Sequence, residues 1–194
     1  MLMVWLEKID QEIVLAINGW NHPFLDEVMW FISQPLSMIP MYVFLLYFIQ
    51  RNHTPKFALQ FFLMVVITIF IVDQLSVHAF KEVFERYRPS HHTELREKLH
   101  LHTAANGEIY YGGKYGFVSS HAANMMALFT LVFPLFYKKQ KWIIFLMLFI
   151  VLAVMYSRIY LGVHYLSDIL AGAFLGFFIA FLLNKFIFSK WKSL

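Results

Sequence analysis

The sequence predicts an all-α fold: a polytopic membrane helix bundle of five transmembrane helices, or six if the N-terminal segment also spans, with an interfacial helix at the N-terminus. Composition points there first. The 194 residues are 60% hydrophobic and 19% aromatic, and only 14% are charged, whereas a soluble domain carries about 25% charged residues. Mean hydropathy is +0.60. Segment length points the same way. A spanning helix needs roughly 20 mostly apolar residues, and residues 24–50, 56–80, 119–137, 142–160 and 165–188 meet that need. No long polar linker divides them, so residues 1–194 read as one domain.

Residues 2–20 differ from the other five segments. Leu2, Leu6, Ile9, Ile13, Ile17 and Trp20 follow helical spacing, while Glu7, Lys8, Asp10, Gln11 and Glu12 fill the opposite face. That pattern fits a helix lying in the membrane interface. It lacks the basic start of a signal peptide and carries acids throughout. The segment 24–50 is interrupted by Pro35 and Pro40, with Asp26 and Glu27 near its start. The segment 56–80 carries Asp73, a costly residue at membrane depth. An orienting role beside Lys81 or His78 is expected for it. The remaining three segments are cleaner apolar runs.

The charges assign the two sides. One side receives Arg51 and Lys56, then Lys138, Lys139 and Lys141, then Lys185, Lys190 and Lys192: eight cations and no acid. All 12 acids lie elsewhere. Lys and Arg in short loops mark the cytoplasmic side, so the N-terminus and the long 86–118 loop are expected outside. Trp5 and Trp20 at one level, and Trp142 and Trp191 at the other, fit interfacial belts. The net charge of +4 is thereby accounted for by topology, and nucleic acid is not expected as a partner. There is no cysteine, which excludes disulfides and thiolate chemistry.

Three motifs emerge on the outer side. The first is Lys81-x6-Arg88-Pro89, with Arg86 inside it. Guanidinium forks suit phosphate oxygens, and an ammonium is a mobile point charge; the ordinary alternative is an anchor for lipid headgroups. The second is Ser119-Ser120-His121, at the start of a span and just after Gly112, Gly113 and Gly116. A helix N-terminus can bind an anion and His121 can act as a general acid; plain capping is the alternative. The third is Ser157-Arg158-x5-His164-x3-Asp168. Residues four apart share a helix face, so Asp168 can fix the tautomer of His164 and make it a better nucleophile. An N-cap acid beside an interfacial histidine is the alternative. The outer loop adds His91, His92, His100 and His102, without a cysteine or a His-Glu-x-x-His pattern. No metal is expected, and a loop lid carrying Leu95 and Leu99 fits better. Together the motifs offer cations for a phosphate and histidines for covalent catalysis.

These residues resemble the type 2 phosphatidic acid phosphatase (PAP2) superfamily, which includes vanadium haloperoxidases. The family signatures are Lys-x6-Arg-Pro, Pro-Ser-Gly-His and Ser-Arg-x5-His-x3-Asp. The first and third match completely. The second matches at Ser119 and His121, with Val118 and Ser120 where the family usually has Pro and Gly. The resemblance implies that His164 attacks phosphorus and forms a phosphohistidine, with Asp168 orienting it, and that His121 protonates the leaving oxygen. It implies that Lys81, Arg88, Arg158, Ser119 and the Ser120 backbone hold the phosphoryl oxygens, with no metal and no cofactor.

The expected activity is hydrolysis of a lipid phosphomonoester or diphosphate headgroup at the extracytoplasmic face, in a bacterial inner membrane. Undecaprenyl diphosphate is the first expectation for the substrate. Lipid A, phosphatidylglycerophosphate and phosphatidate are alternatives. A non-catalytic lipid-binding protein and a vanadate-dependent haloperoxidase are the readings from other classes. Oligomeric state is not legible.

Overall fold

Prolines and polar caps set where the helices begin. The computed structural model describes residues 2–104 and 106–189. Helix α1 is Leu2–Asn18. Helix α2 (Pro23–Ser33) opens on a proline, and the His22 ring accepts the Phe24 N–H at 3.2 Å. A 3-10 turn, Pro35–Met38, leads into α3 (Ile39–Asn52). Pro35 holds Gln34 in an extended conformation, and the two arms meet at 74°. The segment expected as one span over 24–50 is therefore two helices broken at Gln34.

Helix α4 (Pro55–Gln74) starts on Thr54, whose hydroxyl accepts the Phe57 N–H at 3.2 Å. It continues through a π turn, Leu75–Lys81, into the short α5 (Glu82–Phe84). Helices α6 (Ser120–Phe136), α7 (Lys141–Tyr160) and α8 (Leu166–Leu183) follow, α8 running into a π turn at Asn184–Phe188. Among the described residues only isolated bridges occur, Tyr87 with Tyr115 and Thr103 with Ile109, and no strand.

Pro55–Phe84, Lys141–Tyr160 and Leu166–Phe188 are long and apolar enough to cross a membrane, and the bent α2–α3 pair makes a fourth span if counted as one. Helix α6 is apolar but has only 17 residues, because its first turn is given over to a polar motif inside the bundle. Phe70, Phe145, Phe149 and Phe174 point outward from the spanning helices, a wall suited to lipid rather than water.

Helix α6 is central, packing most heavily on α8, then on α7 and α4. The α6–α8 contact rests on small residues at every fourth position of α8: Gly172, Gly176 and Ala180, all buried. A Cβ at Gly172 would run into the carbonyl of Ser119, and one at Gly176 into the carbonyl of Ala123. Such close backbone approach is how helices associate where no hydrophobic force separates them from lipid. It also seats the second motif on the third: the Ser119 N–H donates to the Asp168 carbonyl at 3.0 Å.

Helix α1 departs from its expected register. The row Asp10, Val14 and Asn18 faces the bundle, and Asp10 is 5% exposed. Glu7, Lys8 and Glu12 are exposed, so only part of the charged face turns outward. Asn18 clamps the 86–118 loop. Its amide donates to the carbonyls of His100 at 2.8 Å and Tyr160 at 2.7 Å, and its oxygen accepts the His100 N–H at 2.8 Å.

Candidate active site

The third motif sits where α7 ends and α8 begins, and the turn between them is buried. His164 is 1% and Asp168 is 0% exposed. Asp168 lies in the first turn of α8 and accepts the Tyr165 N–H at 3.0 Å through Oδ2. The same oxygen lies 3.4 Å from His164 Nδ1, a long bond of the kind that tightens once substrate binds. With Nδ1 turned to the carboxylate, Nε2 is the ring nitrogen on the opposite edge. Burial first, then the charges of Arg88, Arg158 and Lys81, push His164 well below its ordinary value. Both causes disfavour the charged imidazolium.

Asp168 is itself held. Arg86 donates to its Oδ1 at 2.8 Å, to Asp10 Oδ2 at 2.8 Å and to the Ser167 hydroxyl at 2.6 Å. Asp10 also accepts from the Ser167 N–H at 3.0 Å and from its hydroxyl. The Arg86 guanidinium lies over the Tyr165 ring, 4.2 Å from its centre. Arg86 is thus committed to orienting the carboxylate through a buried network.

The other cations are not committed in this way. Arg158 is 1% exposed and Arg88 is 8% exposed. Arg158 donates to the Ser33 hydroxyl at 2.7 Å and to the Tyr110 hydroxyl at 3.0 Å, and its Nε is buried without a partner among the described residues. Arg88 donates through Nε to the Tyr115 carbonyl at 3.2 Å. Burial and the nearby Arg158 push Arg88 down to about 10. Lys81 donates to the Ser120 hydroxyl at 2.6 Å. Among the described residues, no acid lies within ion-pair distance of Lys81, Arg88 or Arg158. Buried charges are costly unless paired, so this cluster is built for an anion.

The glycine loop makes room for it. Gly112 has a φ of +66°, and a Cβ there would stand 2.6 Å from the Arg88 guanidinium. At Gly116 it would meet Asp168 Oδ2 at 3.0 Å and Arg88 Cγ at 3.1 Å.

The second motif contributes a cap, a hydroxyl bridge and a histidine. Ser119 is the N-cap of α6 and accepts the Ala122 N–H at 3.4 Å. Ser120, standing where the family usually has glycine, fits by sharing a 2.6 Å bond with Ser76 while receiving Lys81. The His121 Nε2 lies 3.2 Å from the Ser33 carbonyl. Ser33 thus touches both Arg158 and His121, and the break after α2 is what brings it there.

All eight residues singled out from the sequence lie at this one end of the bundle. The sequence reading missed Asp10, Ser33, Ser76 and Tyr110, which reach the site from distant segments. The outer-loop histidines do not gather. His102 stacks on Trp30 at 4.4 Å, His100 pairs with Asp26 at 3.0 Å, and His91 packs beside Tyr111. Among the described residues, no group of three or more potential ligands is placed to hold a metal ion. Leu95 is buried and Leu99 packs on the core beside the 3-10 turn Arg96–Lys98. His78 pairs with Glu82 at 2.8 Å rather than with Asp73, whose partner is Asn124 at 3.4 Å.

With this geometry in place, comparison with known proteins is direct. The PAP2 superfamily model matches residues 57–192. A lipid A 4'-phosphatase of Porphyromonas gingivalis is 34% identical over 184 residues, covering 94% of this chain and 75% of that protein. A lipid A 4'-phosphatase of Bacteroides thetaiotaomicron is 33% identical over 181 residues, covering 91% and 76%. The crystal structure of a transmembrane PAP2-type phosphatidylglycerolphosphate phosphatase from Bacillus subtilis aligns with a TM-score of 0.65 at 23% identity, covering 93% of this chain and 85% of that one. The chain belongs to the PAP2 superfamily and is an integral membrane protein.

Proposed function

We propose that this chain is a lipid phosphatase that works through a phosphohistidine on His164. The observation that carries the reading is the pair of buried arginines, Arg88 and Arg158, with no acid in ion-pair distance among the described residues, beside a buried His164–Asp168 pair. Lys81, Arg88 and Arg158 hold the three non-bridging oxygens, helped by Ser119 and the Ser120 N–H. His164 Nε2 attacks phosphorus, and the bond from phosphorus to the lipid oxygen breaks. That oxygen leaves with a proton from His121. Asp168 holds the Nδ1 proton of His164 throughout. Water then attacks the phosphohistidine, losing a proton to His121, and the P–N bond breaks to release phosphate.

The substrate reading shifts with the relatives. Two proteins more than 30% identical are lipid A 4'-phosphatases, which favours a sugar-borne phosphate over undecaprenyl diphosphate. The whole chain acts as one domain, with five crossings that count the bent α2–α3 pair and α6 as one each. The site faces outward from the inner membrane, because the cations at 51–56, 138–141 and 185 mark the opposite side. Lys190, Trp191 and Lys192 lie outside the described residues.

The test is phosphate release from purified protein across lipid A, polyprenyl diphosphate, phosphatidate and phosphatidylglycerophosphate. Release from at least one of them by the native protein and from none by His164→Ala is expected. A His164→Ala protein that retains turnover contradicts the mechanism. A reporter fused after Leu194 tests topology, and a cytoplasmic signal is expected.

A further inference from the structure

Two neutral hydroxyls hold the buried charge of Arg158. Its terminal nitrogens donate to Ser33 at 2.7 Å and to Tyr110 at 3.0 Å, and among the described residues no acid lies within ion-pair distance of it. The hydroxyls come from separate parts of the chain. Ser33 is the last residue of α2 and is 4% exposed, and the extended Gln34 after it ends that helix. Tyr110 belongs to the 86–118 loop, where its N–H donates to the His102 carbonyl at 2.9 Å. Trp30 joins the two. It stands three residues before Ser33 and so shares its face of α2. Its ring meets Tyr110 edge-on at 4.8 Å and stacks on His102 at 4.4 Å. Ser33, Trp30 and Tyr110 all lie outside the three motifs.

An acid in the place of these hydroxyls would fix the guanidinium but would also neutralise it. Hydroxyls accept its hydrogens and leave its charge for an incoming anion. Acceptors on both terminal nitrogens also define the plane of the fork before any ligand arrives, so less rotamer freedom remains to be lost on binding. We propose that Ser33 and Tyr110 are positioning residues that set Arg158 for the phosphate without cancelling its charge, with Trp30 backing the pair. The inference rests on the phosphatase reading above. Ser33 also accepts from His121 Nε2 at 3.2 Å, but through its backbone carbonyl. A side-chain substitution leaves that carbonyl in place, so the two contacts of Ser33 can be separated by experiment.

The experiment is a mutant cycle on the purified full chain, read with aryl phosphates of good and poor leaving groups. Ser33→Ala and Tyr110→Phe are each expected to lower kcat about three- to tenfold, and the pair up to about a hundredfold. Ser33→Thr, which restores a hydroxyl, should recover part of the loss. In an Arg158→Met background neither change should cost anything further, because no guanidinium is left to hold. Full losses in that background would come from packing and overturn the proposal. The Ser33→Ala loss should be equal for good and poor leaving groups; a loss confined to poor ones overturns the proposal and assigns Ser33 to His121. The rise in melting temperature with inorganic phosphate is read without turnover and should shrink in both single variants. An unchanged rise in both overturns the proposal. Tyr110→Phe keeps the ring against Trp30, so a Ser33→Ala protein that fails to fold leaves that arm of the test standing. Native turnover with indifferent variants defeats this proposal alone, whereas a native protein that releases no phosphate defeats the phosphatase reading as well.

Discussion

On the His164 side of the site, His164, Asp168, Arg86 and Asp10 form an unbroken chain of bonds from α8 through the 86–118 loop to α1. On the His121 side, His121 rests on one backbone carbonyl, and among the described residues the Asn124 side-chain oxygen has no partner. The difference fits what the proposed phosphoryl transfer asks of each half. Attack on phosphorus is the same for every substrate, so its geometry can be fixed in advance by protein atoms. The leaving group differs from lipid to lipid, and its contacts are completed only by the substrate itself. Perturbing the first half should lower every activity together, and perturbing the second should change selectivity.

The largest expected effect is at His164. His164→Ala removes the nucleophile and should cost about 10⁴-fold or more in kcat/KM for every substrate, with the melting temperature retained. Next comes Arg158→Met, which keeps an apolar stem but removes the charge that has no acid partner. A loss of about 10²–10³-fold in kcat is expected, again uniform across substrates. A loss confined to one lipid would instead assign Arg158 to headgroup choice.

Asp10→Asn probes the far end of the chain of bonds. It should loosen Arg86 and, through it, Asp168, lowering kcat by about ten- to a hundredfold with little change in KM. Asp10→Glu should recover part of that loss. Equal losses in both, with a lowered melting temperature, would reduce Asp10 to a prop for α1.

The pH behaviour separates the halves further. Burial and three cations hold His164 below its ordinary value of about 6.5, so the unfolded chain binds its proton more readily than the folded one. Stability should therefore fall as pH drops below about 6.5. The acid limb of kcat/KM attributable to His164 should lie below that value as well. Inorganic phosphate is expected to bind the folded state through the same cations and so to raise the melting temperature. That rise should disappear in Arg158→Met. The smallest effect on chemistry is expected from Gly176→Ala, which crowds the Ala123 backbone. It should cost about 1–3 kcal/mol of stability, while activity per folded molecule stays near native.

Much of this was legible in the sequence. The first and third motifs are compact, and their spacing fixes a helix face. What escaped notice were partners joined only by the fold. Asp10 meets Arg86 across 76 residues, and Ser33 meets Arg158 across 125. Asp10 was further masked by its neighbours, because an acid among Glu7, Lys8, Gln11 and Glu12 reads as part of a solvated face. The break at Gln34 had its signal in Pro35, but proline alone does not give an angle. Asp73 was legible as expensive, and its partner Asn124, on another helix, was not.

The most direct measurement is acid-free quenching of the purified protein during turnover of a radiolabelled lipid phosphate, followed by mapping of the label. Label is predicted on His164 in the native protein, acid-labile as an N-linked phosphate is, and absent from His164→Ala. Turnover with no label on His164, or label on His121 instead, would contradict a mechanism in which the buried His164–Asp168 pair attacks a phosphate held by Arg88 and Arg158.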